Sequence, residues 1–175
     1  MTAAAPTVAI VTVSSAVAAG AATDEAGPLL ARLATDAGAS VVSSEAVDDD
    51  APAIERALRG HVAAGVGVVL TCGGTGLTPD DVTPEATDAV IERAAPGFAE
   101  ALRAEALRHT PMGVLTRGRS GIAGRTLIIN LPGSPKAIGE LFGVLAPVLG
   151  HAVATLRSDG GSRALHAVED RRGRA

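Results

Sequence analysis

The segment that most constrains the fold runs from Val66 to Thr87, where a β-branched run, a loop with three glycines and two acids precede a proline-opened helix. Val66, Val68, Val69 and Leu70 have the unbroken apolar character of a strand covered on both faces, which points to a parallel sheet. Gly73, Gly74 and Gly76 stand where that strand must end. Without Cβ atoms they let the backbone lie directly against a ligand and turn its N–H groups toward anionic oxygens, and Thr75 adds a hydroxyl. Asp80 and Asp81 come next, before a helix that Thr83 can cap and Pro84 can begin. Acids placed there can be solvated or favoured by the positive end of the helix dipole. Alternatively, one of them can hold Mg²⁺ beside phosphates bound in the glycine loop.

The rest of the chain alternates strands with helices. Thr7 to Val13 reads as a buried strand, followed by Ser14 and Ser15 and a loop of small residues carrying Asp24 and Glu25. Pro28 opens a helix with Leu30, Leu33, Ala34 and Ala37 on one face. Ser40 to Val47 is a second strand, ending in Asp48, Asp49 and Asp50, and Pro52 begins a helix with Ile54, Leu58 and Val62 inward. A helix is expected from about Pro84 to Arg93, another from Pro96 carrying Phe98, Ala101 and Leu102, and a short strand over Met112 to Leu115. A flexible loop from Thr116 to Gly121 holds Arg117 and Arg119, whose guanidiniums suit phosphate or carboxylate. Thr126 to Leu131 forms another strand. Pro132 and Gly133 break it, Ser134 caps, and Pro135 begins a helix with Ile138, Leu141, Phe142 and Leu145 at helical spacing. Pro147 interrupts it before a last segment, Gly150 to Leu156. This alternation predicts an α/β three-layer sandwich with a mostly parallel sheet, in one domain over residues 1–157 with a loose tail over 158–175. Loops at the strand C-termini then gather any ligand along one edge.

Several function classes fall away. There is no Trp or Tyr, and Phe98 and Phe142 are the only aromatics, so the core must be Ala, Val, Leu and Ile. No apolar run reaches bilayer length, and the N-terminus lacks the basic region of a secretory signal. The single cysteine permits no internal disulfide and favours a cytoplasmic location. A net charge of -4, with neither basic cluster nor aromatic platforms, argues against nucleic acid. No lysine follows the glycine loop, as a phosphate-binding Walker sequence requires, and no dinucleotide fingerprint follows the first strand. Cys72 reads as packing, and His61, His109, His151 and His166 lack metal-ligand spacing. Lys136 is the one lysine against fourteen arginines. It stands in the first turn of a helix, where the dipole disfavours a cation, so it is either a chance placement or faces a bound anion. Anion binding with a hard divalent cation is the equipment of phosphate or nucleotidyl transfer.

Three stretches carry a family resemblance: Thr71-Cys-Gly-Gly-Thr-Gly76, Asp81-Val-Thr-Pro-Glu-Ala-Thr87 and Asn130-Leu-Pro-Gly-Ser-Pro-Lys136. In this order they resemble the signature blocks of the molybdopterin adenylyltransferase (Mog/MoaB) family, over roughly Thr7 to Leu149. The resemblance implies a molybdopterin-binding-domain fold and Mg²⁺-dependent adenylylation of molybdopterin by ATP, giving adenylyl-molybdopterin and pyrophosphate. It implies Asp49 and Asp81 as the catalytic, Mg²⁺-holding acids, with Asp50 a competitor for the first position. Ser14, Ser15, Asp24, Gly73, Gly74, Thr75, Gly76, Thr116, Arg117, Pro132, Gly133, Ser134 and Lys136 are the ligand residues it implies, and a homotrimer the assembly. One departure stands out, because Asp80 occupies a place where the family often has a basic residue. The Leu77-Thr-Pro-Asp80 wording also resembles competence-damage-inducible (CinA-like) domains of the same fold. Two other functions therefore stand beside adenylylation: a non-catalytic molybdopterin-binding protein, and a nucleotide pyrophosphate hydrolase.

Overall fold

The computed structural model describes residues 5–158. Six strands form one sheet in the order β2-β1-β3-β6-β5-β4. β1 (Thr7–Val13), β2 (Ser40–Val47), β3 (Val68–Cys72) and β6 (Thr126–Leu131) are mutually parallel. β5 (Ser120–Ala123) returns antiparallel beside β6, and the two-residue β4 (Arg93–Ala94) closes that edge. Alternate side chains of the central strands divide the core in two, as a strand covered on both faces must. Val8, Ile10, Leu70 and Ile129 pack with Leu30 of α2 (Ala26–Asp36), Leu102 of α5 (Pro96–His109), Ile138 and Leu145 of α6 (Pro135–Leu145) and Val153 of α7 (Leu149–Arg157). On the other face Val11, Val69 and Ile128 meet Ile54 and Leu58 of α3 (Ala51–Ala63) and Ala86 of α4 (Thr83–Asp88). The result is a mixed, mostly parallel sheet between two helical layers. No single described helix is long and apolar enough to cross a membrane.

Several expectations need correction. The helix expected from Pro84 to Arg93 ends at Asp88, because the chain swings out to pair with β5: Glu92 N–H donates to Ile122 O at 2.8 Å and Ala95 N–H to Ser120 O at 3.0 Å. Met112 to Leu115 is not a strand but part of a 3₁₀ turn, Pro111–Leu115, whose first N–H groups are met by the Thr110 hydroxyl acting on Met112. Pro111 suits a helical start, and no neighbouring strand lies alongside. The loop at Thr116 stops at Arg119, since Ser120 already belongs to β5. Four residues expected in a loop, Ser15–Ala18, form the short α1 capped by Ser14. Helix α2 begins two residues before Pro28. Apart from Ser158, the tail expected over 158–175 lies outside the described residues.

Candidate functional site

Parallel strands end together, so β1, β2, β3 and β6 deliver residues 14–15, 48–50, 73–81 and 132–136 to one edge. Antiparallel β5 starts at that same edge, its Ser120 opposite Ile129, and so brings residues 116–119 there too. The chain leaves β1 for β2 on one side and later enters β3 on the other. That reversal is the crevice where open α/β sheets hold ligands.

The glycine loop is clamped rather than loose. Gly73 has φ +104°, and a Cβ on it would lie 2.3 Å from the Val13 carbonyl oxygen. Its N–H donates to Leu131 O at 3.2 Å, and a Cβ on Gly133 would come within 3.2 Å of the Gly73 Cα. Thus the turns after β1, β3 and β6 touch through backbone, closer than side chains allow. The Thr83 hydroxyl, expected to cap α4, donates instead to Gly73 O at 2.9 Å, while the Thr83 N–H reaches Gly74 O at 3.1 Å. Val82 takes the capping position and Thr83 is the first helical residue. Tertiary need has redirected a good capping group.

The acids separate by what holds them. Asp50 caps α3, accepting from Ala53 N–H at 3.1 Å. Asp49 faces α1: Ser15 N–H donates to its Oδ2 at 2.8 Å, and its own N–H donates to Ser15 Oγ at 2.9 Å. Asp81 receives the Thr78 hydroxyl at 2.6 Å and the Thr78 N–H at 2.8 Å, both on Oδ2. The Thr78 hydroxyl first, then the Thr78 and Gly76 N–H groups and the Arg117 guanidinium, outweigh burial and hold the Asp81 carboxyl below the usual carboxylate range. On Asp49 the Ser15 N–H bond falls on Oδ2, as both Thr78 bonds do on Asp81. Among the described residues, no three His, Cys, Asp or Glu side chains converge to cage a cation unaided.

Two clefts flank the turn at Pro132 and Gly133. One, of about 330 Å³, lies beside Thr12, Ser14, Asp24, Cys72 and Gly133. Asp24 forms its wall, accepting the Thr12 hydroxyl at 2.7 Å on Oδ2 and Gly27 N–H at 2.8 Å on Oδ1. Burial pushes the Cys72 thiol up to about 11, which suits packing rather than attack. The other cleft, about 210 Å³, is more apolar and lies among Leu102, Met112, Thr116, Asn130, Pro132 and Leu141. Buried Asn130 braces it, donating to the hydroxyls of Thr71 and Thr87 at 2.9 Å each and accepting Arg119 N–H at 2.9 Å.

The remaining sequence-predicted residues lie on this edge with differing partners. Thr75 is buried, and its carbonyl accepts Arg117 N–H at 2.9 Å. The Thr116 hydroxyl accepts Gly118 N–H at 3.3 Å. Arg117 turns its guanidinium onto the glycine loop itself, to Gly76 O at 2.7 Å, to Asp81 O and to the Glu85 carboxylate. Ser134 caps α6 through Ala137 N–H at 3.5 Å. Lys136 projects into solvent, its Nζ 3.8 Å from Glu140 Oε1. Sequence reasoning missed Thr12, Thr78 and Glu85, the partners that fix Asp24, Asp81 and Arg117. The one local signal was the three-residue spacing of Thr78 and Asp81, which suits a turn.

Over residues 9–151 the chain matches the family described as "Probable molybdopterin binding domain". It is 36% identical over 148 residues to the molybdenum cofactor biosynthesis bifunctional protein of Synechococcus elongatus, covering 85% of this chain and 46% of that protein. Over 95 residues it is 46% identical to the molybdopterin adenylyltransferase of Haemophilus influenzae, covering 54% of this chain and 48% of the other. Its fold superposes on the molybdopterin biosynthesis Mog protein of Mycobacterium ulcerans with a TM-score of 0.81 and 42% identity, covering 87% of this chain and 99% of that one. The chain spans less than half the length of the curated relatives it matches first.

Proposed function

Because this chain belongs to the molybdopterin-binding domain family of molybdenum cofactor biosynthesis, we propose that it transfers the adenylyl group of ATP to the terminal phosphate of molybdopterin. The observation that carries this reading is the pair of clefts meeting at the Pro132–Gly133 turn, against which the Gly73 backbone is packed. A transfer between two phosphates needs two seats joined by one anion-binding backbone. The pterin phosphate oxygen attacks the α-phosphorus of ATP, a new P–O–P link forms, and the bond to the β-phosphate breaks to release pyrophosphate. No proton has to be removed, since the attacking phosphate is already ionised. Catalysis is then positioning and charge stabilisation.

Asp49 and Asp81 would each lend a carboxylate to a cation, and together they offer too few ligands for a protein-only site. That donor set fits Mg²⁺ held largely by substrate phosphates, and such an ion would neutralise charge on the transferring oxygens. Asp49 is preferred over Asp50 because it pairs with Ser15 in the turn after β1, on the ligand edge, whereas Asp50 caps α3. The glycine-loop N–H groups would face the phosphates, with Ser14, Ser15, Thr75, Thr116 and Ser134 lending hydroxyls. Lys136, mostly exposed and loosely paired, is free to reach an anion. The same reading takes the protein to be cytoplasmic, one domain over residues 1–157, and homotrimeric. Exposed Leu107, Met112, Val114 and Leu115 support a contact between copies.

Mass spectrometry of the protein mixed with molybdopterin, ATP and Mg²⁺, run beside Asp81→Asn, tests the reading. Adenylylated pterin from the native chain, absent with the variant, is the expected result. Pterin that stays bound but unmodified would replace the enzyme with a carrier.

A further inference from the structure

Glu85 stands in the first turn of α4, four residues after Asp81, with a side chain 57% exposed. An exposed acid at a helix start ordinarily needs no explanation beyond the dipole. This one grips a single arginine with both oxygens, Oε1 on Nη1 of Arg117 and Oε2 at 3.4 Å from Nη2. The other donors of Arg117 go to the main chain of the glycine loop: Nε to Gly76 O at 2.7 Å, Nη2 to Asp81 O, and the backbone N–H to Thr75 O at 2.9 Å. One guanidinium therefore joins the two ends of segment 76–81, whose last side chain is the Asp81 carboxylate.

Resting on the adenylyltransferase reading, we propose that Glu85 is a positioning residue, which locks the fork of Arg117 onto the Gly76 and Asp81 carbonyls and so fixes Asp81 and the loop N–H groups before ATP arrives. Arg117 is then a strap rather than a phosphate ligand. The planar fork matters, because a lysine offers a point charge that cannot span two carbonyls and a carboxylate at once. Both partners lie at the surface, where an ion pair adds little to global stability. Loss of the strap is therefore read in the loop and in turnover, with the melting temperature nearly unchanged.

Glu85→Gln and Arg117→Lys test this. Amide hydrogen exchange over residues 74–82 of the ligand-free protein is followed by mass spectrometry, beside kcat and KM for ATP in the adenylylation assay. In both variants, exchange in that segment should quicken about tenfold, and kcat should fall about tenfold while KM for ATP stays within about threefold, as expected for a misplaced rather than missing group. The opposite pattern overturns the proposal: KM rising about tenfold in Arg117→Lys with exchange unchanged, and KM falling in Glu85→Gln as the guanidinium is freed for phosphate. Should the native chain make no adenylylated pterin, the functional reading fails separately. The exchange measurement still decides the strap, and unchanged exchange in both variants sinks it.

Discussion

A carboxylate can serve a phosphate transfer only in its ionised form and at a fixed place, and Thr78 supplies much of both for Asp81. With its folded value below the ordinary 3.8, Asp81 contributes stability that is fully present above pH 3.8 and lost as pH falls through the lower folded value. Thr78→Val should shift the Asp81 carboxyl upward, a change readable in a ¹³C NMR titration; an unmoved resonance would discount the Thr78 hydroxyl. Cys72 titrates with the opposite consequence. Its value rises from 9.0 to about 11 on folding, so stability drops as pH climbs through that window, where the unfolded chain gives up the proton first. At pH 8 the native thiol should resist iodoacetamide and react only once urea unfolds the chain, and rapid labelling of native protein would contradict this. Gly73→Ala forces a Cβ against the Val13 carbonyl at positive φ, and should cost about 2–4 kcal/mol in urea unfolding.

Among the elements, α6 offers the cleanest capping test. Ser134→Ala should lower stability by about 0.5–1 kcal/mol, the low end for a cap whose bond is long. Thr83→Ser, which keeps the hydroxyl on Gly73 O, should be tolerated far better than Thr83→Val. Much at this scale was legible in the residues. Thr7–Val13 and Thr126–Leu131 were found with the bounds they have, because apolar runs rich in β-branched residues in a doubly covered sheet leave a plain signal; Ser40–Val47, an edge strand with no buried residue, was found with its bounds as well. β4 and β5 left none. Arg93–Ala94 is exposed and Ser120–Ala123 is short and glycine-containing, so each exists through its pairing partner rather than its own composition. Met112 to Leu115 looked apolar enough for a strand, yet Met112, Val114 and Leu115 are exposed in a 3₁₀ turn. At the candidate site, Asp81 and the glycines stand out by residue type after a strand end, while Asp49 is singled out among three successive acids only through the family resemblance. The pairings Ser15–Asp49 and Glu85–Arg117 do not, since those bonds join segments more than thirty residues apart, whereas Thr78 lies only three residues before Asp81 and left a local turn signal.

For the whole molecule, the proposed trimer should sediment at about three times 17.3 kDa. Val114→Glu, placing a charge in the exposed apolar patch, should return it to one copy, whereas a native chain that sediments as a monomer would remove that assembly from the proposal. The sheet order has a consequence for synthesis. β3 lies between β1 and β6, yet β6 begins 54 residues after β3 ends. At translation rates of roughly 5–20 residues per second, a nascent chain carries one flank of Val68–Cys72 unpaired for roughly 3–11 s while α4, α5 and β5 emerge. During that interval the glycine loop also lacks the Leu131 carbonyl that anchors Gly73. The ribosome thus delivers the partner of the most hydrophobic strand late, and the newborn protein depends on its surroundings, rather than its own sheet, to keep that edge from meeting another chain.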